Sequence, residues 1–300
     1  MRKQFIKLTA ACVFTALLLY SSGLETRSAI AYAEGSVATN EPLQQQVQQW
    51  VDELAVQPEF AKWKQASFKI SPVGPGTHSW LVLVKQHKET VGYLIVNAVE
   101  QGGYQLGEYG TSNQPIFDEQ TLTRSIKGLE LLKPASKIEA LYVHPLLAAW
   151  RITESSASTY YTDAATGEQL PVNQKDWTKA ASAPLSDSSK YQISANAKLL
   201  KQVSLPSFDR YAKLPWLSKA PLQVNTSSYS SLFVKINNKE QLRYTAELFD
   251  AQMLYVWSVV GYNKWDTGQI YVALEAGDDG ANDRRYIPLL LLLELGHFYR

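Results

Sequence analysis

The sequence predicts an α+β fold, and three observations support this prediction. Residues 42–66 carry apolar side chains at spacings of three and four, as an amphipathic helix does. Short runs of alternating apolar residues follow, separated by turn residues, as in an antiparallel meander. The same order restarts after Asp118. We therefore expect tandem helix-plus-antiparallel-meander units followed by a smaller α+β domain.

The first unit is expected over residues 34–115. Its helix runs from Pro42 to Ala66 and is kinked or split at Pro58, because a proline lacks the backbone N–H that a helix interior needs. Alternating patterns then predict four strands, at residues 68–70, 80–84, 91–98 and 104–109.

The second unit is expected over residues 116–172. Asp118 is a plausible N-cap, Pro134 marks the stop, and one helix face between them carries four apolar residues, Leu122, Ile126, Leu129 and Leu132. Three strands are predicted after the helix, at residues 138–143, 148–153 and 158–162.

Residues 173–207 are rich in Ser, Ala, Asn, Lys and Asp without a sustained apolar period, which indicates a linker. The C-terminal domain is then expected over residues 208–300. It begins with a predicted strand at residues 232–236. A helix starting at Asn238 is predicted next, and the alternation from Leu242 to Leu248 fits a strand as the alternative.

The end of the chain has clearer signals. Two strands are predicted, at residues 254–262 and 269–275, and the triplet Asp266-Thr267-Gly268 forms the turn between them. Pro288 indicates a change from strand to helix, and Gly296 indicates the end of that helix.

The first 33 residues resemble a cleavable export signal. A basic start is followed by an apolar run from Leu8 to Leu19, roughly a dozen residues, whereas a membrane-spanning helix needs about 20. Small residues at Ala31 and Ala33 predict cleavage after Ala33 and a secreted protein with no membrane anchor. The only cysteine, Cys12, is lost with this segment, so the mature chain has no thiol for catalysis, metal binding or disulfides.

The charge of the mature chain argues against a nucleic-acid partner. Removal of residues 1–33 takes away four basic residues and one acidic residue, which changes the formal net charge from +1 to −2. No cluster of lysine or arginine stands out either, so the positive surface of a nucleic-acid binder is not expected.

The first half of the chain resembles tandem modules of the PepSY and cystatin-like propeptide type. The resemblance rests on residues 92–98 (GYLIVNA) and on residues 160–168 (YYTDAATGE), where an Asp and a Thr-Gly close a turn. It implies a helix laid across a small antiparallel sheet in each unit.

The last part resembles the closing half of papain-like peptidases of the bacteriocin-processing type, over residues 257–263, 270–272 and 286–289. In that family one strand carries the catalytic His, and the next carries an Asn or Asp that orients it. The resemblance places these two positions near Tyr255 and Ala273, and the stretch before them has no Cys. The catalytic Cys, the His and the residue that orients the His are therefore all missing from the matching positions. If the half-fold is kept, Tyr255 and Ala273 should lie on neighbouring strands and point to one side.

Other candidate sites have simpler structural interpretations. Asp266-Thr267-Gly268 matches the aspartic-protease triplet, but a hairpin turn is the favoured interpretation. The acidic loop at residues 278–283 offers oxygen ligands for calcium, yet it lacks the spacing of a helix-loop-helix calcium site and is interpreted as a solvated turn.

No metal site or cofactor is predicted elsewhere. The four histidines, His78, His87, His144 and His297, are far apart in sequence and lack zinc-ligand spacing. No Gly-Xaa-Ser-Xaa-Gly elbow or phosphate-binding Gly-Lys-Ser/Thr loop occurs. Aromatic side chains stack on sugars, but four of the eight tryptophans occupy periodic helix or strand positions, where core packing is the favoured role: Trp50, Trp63, Trp80 and Trp150. Trp257 and Trp265 are retained as candidate binding aromatics.

These observations predict a secreted, non-catalytic binding or regulatory protein, with the layout of a propeptide and a peptidase that has lost its active-site residues. Its partner would be an extracellular protein, a peptide or a glycan. The alternative is an extracellular hydrolase with an unrecognised carboxylate site. A hydrolase should show two carboxylates converging in a cleft, whereas a binding protein should show an aromatic or polar groove without them.

Overall fold

The computed structural model describes residues 41–74, 77–185, 187, 190–226, 228–277 and 283–300. The export signal with Cys12 and Ala33, and residues 278–282 of the acidic loop, lie outside the described residues. The structure confirms the α+β fold class. Every strand pairing in the described part of the chain is antiparallel.

The helices are short except for the first. They are α1 (Glu41–Ala55), a 3-10 helix (Pro58–Trp63), α2 (Glu119–Gly128), α3 (Gln174–Ala181), α4 (Pro215–Ser218), α5 (Ser230–Asn237) and α6 (Leu289–Leu295). None of the described helices is long and apolar enough to cross a membrane.

The strands form a ten-stranded and a three-stranded sheet. The large sheet follows the order β1-β2-β3-β4-β12-β11-β10-β9-β13, with β8 also paired to β10, and the small sheet follows β5-β6-β7. The strand bounds are β1 (Ser67–Val73), β2 (Ser79–Gln86), β3 (Glu89–Ala98), β4 (Tyr104–Thr111), β5 (Ala135–His144), β6 (Leu147–Glu154), β7 (Thr159–Asp163), β8 (Leu199–Ser204), β9 (Leu242–Leu248), β10 (Met253–Trp265), β11 (Ile270–Glu275), β12 (Arg284–Pro288) and β13 (Gly296–Tyr299).

Both predicted helix-plus-meander patterns are present. The first helix ends at Ala55 and the 3-10 helix starts at Pro58, as the proline predicts. Asp118 caps α2 by accepting a hydrogen bond from the Gln120 N–H at 2.8 Å. However, α2 ends at Gly128, well before Pro134, and Leu132 is therefore 95 % exposed rather than on the buried helix face.

The large sheet is covered on both faces. On one face, α1 and the 3-10 helix bury Trp50 and Trp63 in a cluster with residues of β2, β3, β11 and β12. On the other face, α2 and the small sheet pack against β2 and β3 through Leu122 and Trp150, while α5 and α6 pack over β9–β12. Alternate residues of each strand therefore belong to different clusters, as the period of a strand requires.

Two secondary-structure predictions in the C-terminal part are wrong. Residues 232–236 form helix α5 rather than a strand, because Leu232 and Ile236, one helical turn apart, are both fully buried. The helix predicted from Asn238 is absent, and the strand alternative is correct: β9 spans Leu242–Leu248. After β9, positive φ angles from Phe249 to Ala251 form the turn into β10.

The described residues of the segment predicted as a linker, 173–207, are packed rather than loose. The segment contains α3 and β8, and its side chains Trp177, Tyr191 and Ile193 are buried in the main clusters. These large apolar residues are single and irregularly spaced, so they give no periodic signal.

The strands of the C-terminal part do not form a separate sheet. Strand β12 pairs with β4 of the first unit, with Tyr286 opposite Tyr109. The domain boundaries stated above stay predictions. The large sheet, however, contains strands from both the predicted first unit, residues 34–115, and the predicted C-terminal domain, residues 208–300.

A buried ionic cluster, which we call the Arg285 network, joins the two sheets. Its members are Tyr93, Glu108, Tyr142 and Arg285. Arg285 donates to Glu108 at 2.9 Å and to the Tyr93 hydroxyl at 3.1 Å, and the Tyr142 hydroxyl of the small sheet donates to Glu108 at 3.2 Å. Burial opposes the charge on Arg285, but Glu108 keeps the pKa of the guanidinium above its ordinary value.

Candidate functional site

A cleft of about 210 Å³ lies between the β10–β11 turn and the start of α6. We call it the hairpin–helix cleft. The residues that line it are Lys190, Tyr191, Tyr229, Thr267, Gly268, Gln269, Ile270, Leu289 and Leu290. The cleft combines an apolar wall with several polar side chains, which is the usual composition of a ligand site.

Local sequence features explain the backbone on both sides of the cleft. In the β10–β11 turn Gly268 has a φ of +95°, a conformation that glycine adopts without strain. The Trp265 N–H closes this turn by donating to the Gln269 carbonyl at 2.9 Å. The hairpin interpretation of Asp266-Thr267-Gly268 is thereby confirmed. On the other side, Pro288 ends β12 and α6 begins at Leu289.

The polar side chains of the cleft are suited to binding. Lys190, the only charged residue in the described lining of the cleft, is exposed. Burial raises the pKa of the Tyr191 hydroxyl to about 12, with further contributions from the carboxylates of Glu294 and Asp187. This hydroxyl is therefore protonated at neutral pH and is a hydrogen-bond donor. The Oε1 atom of Gln269 is buried and accepts no hydrogen bond from the described residues.

Among the residues that the structure describes, the lining of the cleft contains no carboxylate, thiol or imidazole. General acid–base catalysis and covalent catalysis need such groups within hydrogen-bond distance of a substrate, or an activated hydroxyl or amine. The arrangement can hold a ligand through contacts with apolar, amide, hydroxyl and ammonium groups.

The structure does not bring the degenerate catalytic positions together. Tyr255 of β10 packs into the cluster that contains Trp257, while Ala273 of β11 is buried in the cluster on the opposite face of the sheet. The two strands are paired, but Ala273 lies opposite Gly261. The expected orientation of both side chains to one side is therefore not observed.

The two candidate binding aromatics have different positions. Trp257 stacks on Tyr255 with ring centroids 5.4 Å apart, and both line a cavity of about 20 Å³ next to Arg285. This volume is enough for about one water molecule. Trp265 is fully buried, with its ring 6.2 Å from that of Tyr109, so it belongs to the core.

Two carboxylates approach each other elsewhere, on either side of Arg284. The guanidinium lies 3.3 Å from Glu59 Oε1 and 3.9 Å from Glu275 Oε2. Glu59 also accepts a hydrogen bond from the Tyr286 hydroxyl at 2.5 Å. Burial raises the pKa of Glu275, while the hydroxyl of Ser207 and the charge of Arg284 act in the opposite direction. Neither carboxylate lines the hairpin–helix cleft.

The histidines are dispersed in space as in sequence. His78, His87 and His297 are exposed, and His144 is buried. No group of three or more His, Cys, Asp or Glu residues suited to a metal ion occurs in the ranges that the structure describes. The calcium interpretation of residues 278–283 falls mostly on residues outside those ranges.

Sequence reasoning missed the residues of the cleft. Lys190 and Tyr191 lie in the segment interpreted as a linker, and Gln269 was placed at the start of a strand without a functional role. One signal was available: Tyr191 is a large aromatic residue within a stretch of small and polar residues. Such an isolated residue needs a packing partner, and here it belongs to the cluster around α6.

No protein-family model, no curated protein and no solved structure matches this chain significantly. The resemblances to propeptide modules and papain-like peptidases therefore stay predictions.

Proposed function

We propose that the protein is a secreted, non-catalytic binding or regulatory protein and that the hairpin–helix cleft holds its ligand. The observation that supports this proposal is the composition of the cleft. Its walls combine Ile270, Leu289 and Leu290 with hydroxyl, amide and ammonium groups, and the described lining carries no carboxylate, thiol or imidazole.

The hydrolase alternative needs two carboxylates that can reach a substrate. One pair of neighbouring carboxylates, Glu59 and Glu275, is bridged by Arg284, and both residues are largely buried. Hydrogen bonds from Tyr286 and Ser207 also engage these carboxylates. These contacts indicate a structural role for both carboxylates rather than a role in acid–base catalysis.

The positions of Tyr255 and Ala273 give little support to a lost peptidase active site. Tyr255 and Ala273 lie on paired strands, but their side chains belong to clusters on opposite faces of the sheet. A binding role does not depend on that ancestry, since the hairpin–helix cleft lies in a different place from both residues.

Secretion is part of the proposal and rests on the order of basic, apolar and small residues before Glu34. N-terminal sequencing of protein collected from the culture medium tests it, and we expect a mature chain that starts at or near Glu34. A membrane-retained product that still begins at Met1 would contradict secretion.

A hydrolysis assay tests the absence of catalysis. The purified mature chain is incubated with a fluorogenic peptide library and with chromogenic glycosides, and we expect no turnover above the buffer control. The matched variants are Glu59→Gln and Glu275→Gln. Turnover by the wild-type chain that either substitution abolishes, with the fold retained by circular dichroism, would support the hydrolase alternative instead.

A further inference from the structure

We propose that the hairpin–helix cleft binds the C-terminal residue of a peptide. A large apolar side chain would enter the cleft, and the free carboxylate would lie at Lys190. This inference rests on the proposed function, because it names the ligand class of the same site.

The apolar wall and the size of the cleft indicate one large side chain. Ile270 at the start of β11 and Leu289 and Leu290 in the first turn of α6 supply this wall. A dry cavity of about 150 Å³ with similar walls holds benzene. The cleft of about 210 Å³ therefore has room for an aromatic ring and a few further atoms, but not for an extended peptide.

The charge of the lining indicates an anionic group on the ligand. Of the described residues that line the cleft, Lys190 alone is charged, and its exposure places it on the solvent side. Tyr191 also lines the cleft, and its hydroxyl is protonated at neutral pH. Asp187 and Glu294 lie close enough to Tyr191 to raise the pKa of its hydroxyl, but neither carboxylate lines the cleft.

The amide of Gln269 indicates a hydrogen-bond donor on the same ligand. Its Oε1 atom is buried without a partner among the described residues, and an unpaired buried acceptor is costly. The last peptide N–H of a polypeptide lies next to both the terminal carboxylate and the terminal side chain. A C-terminal residue thus presents an apolar group, an anion and a donor in one small unit, which neither a neutral sugar nor a simple fatty acid does.

Isothermal titration calorimetry on the full mature chain tests this inference with two probes that differ only in charge. The probes are N-acetyl-L-phenylalanine, which has a free carboxylate, and N-acetyl-L-phenylalaninamide, which is neutral. We expect the acid to bind with a dissociation constant on the order of 1 mM, given its small size, and about fivefold more tightly than the amide.

The variant Lys190→Gln should remove this preference, weakening the acid about fivefold and leaving the amide unchanged. Lys190 is exposed, so the substitution should not disturb folding. Lys127→Gln, at an exposed lysine of α2, is the matched control and should bind both probes as the wild type does.

Three results would overturn the inference: no binding of either probe, equal binding of acid and amide by the wild type, or a preference that survives Lys190→Gln. Each of them leaves the non-catalytic function standing. That proposal fails in a different experiment, by turnover in the hydrolysis assay.

Discussion

Removal of the positive charge from the Arg285 network should be among the most destabilising single changes in the protein. Glu108 is fully buried, and the side chain of Arg285 is 13 % exposed. In the variant Arg285→Met, the partners that Glu108 keeps among the described residues are the hydroxyl groups of Tyr93 and Tyr142. Loss of one partner of a buried ion pair typically costs about 3–5 kcal/mol.

The free energy of unfolding is measured by guanidinium denaturation, followed by tryptophan fluorescence. Total stabilities are about 5–15 kcal/mol, so the expected loss is a large fraction. The double variant Arg285→Met with Glu108→Gln should recover much of it, because the neutral amide removes the unpaired buried charge while its oxygen still accepts a hydrogen bond from a tyrosine hydroxyl.

Lys179→Met provides the control for this prediction. Lys179 pairs with Asp250, but both side chains are 67 % exposed, so its loss should change stability by no more than about 0.5 kcal/mol. A loss for Arg285→Met no larger than that of Lys179→Met would refute the reasoning. A double variant less stable than Arg285→Met would also contradict it.

Three further predictions concern the fold. Gly261 has a φ of +147°, and a Cβ added there would lie 1.9 Å from the Val203 carbonyl oxygen. Gly261→Ala should therefore lower the free energy of unfolding by about 3 kcal/mol or more in the same denaturation assay. A neutral effect would contradict the β8–β10 geometry. Burial, and then the charge of Arg285, lower the pKa of His144 to about 3. Between pH 6.5 and 3 the unfolded chain therefore binds a proton at this residue that the folded chain does not. The free energy of unfolding should be highest above about pH 6.5 and should fall between pH 6.5 and 3, with His144 contributing up to about 1.4 kcal/mol per pH unit. His144→Gln should reduce this dependence of stability on pH, and an unchanged slope would count against the prediction. Asp118→Ala should remove the cap of α2 and cost about 1 kcal/mol, whereas Asp118→Asn should be nearly neutral in thermal unfolding.

The parts of the fold that could be predicted have local, periodic signals. Alternation along β2 and β3 and the three-and-four spacing of α1 appear directly in the sequence, and Pro58, Asp118 and Pro288 mark element ends by their backbone chemistry. Helix α5 was missed because a run of five mostly apolar residues fits a strand as well as a buried helix.

The pairing of β4 with β12 could not be predicted from the pattern. It joins residues about 175 positions apart, and a local period carries no information about such a partner. The hairpin–helix cleft depends on the same kind of long-range placement, because Lys190, Gln269 and Leu290 come from three separate segments. Its residues became visible as one site only in the assembled fold.

A crystal structure of the mature chain with N-acetyl-L-phenylalanine tests the central claim most directly, since it shows whether the hairpin–helix cleft is a ligand site. The account predicts the phenyl ring against Leu289 and Leu290, with the carboxylate within hydrogen-bond distance of Lys190 Nζ. A ligand bound anywhere else, or an empty cleft at saturating ligand concentration, would contradict the account.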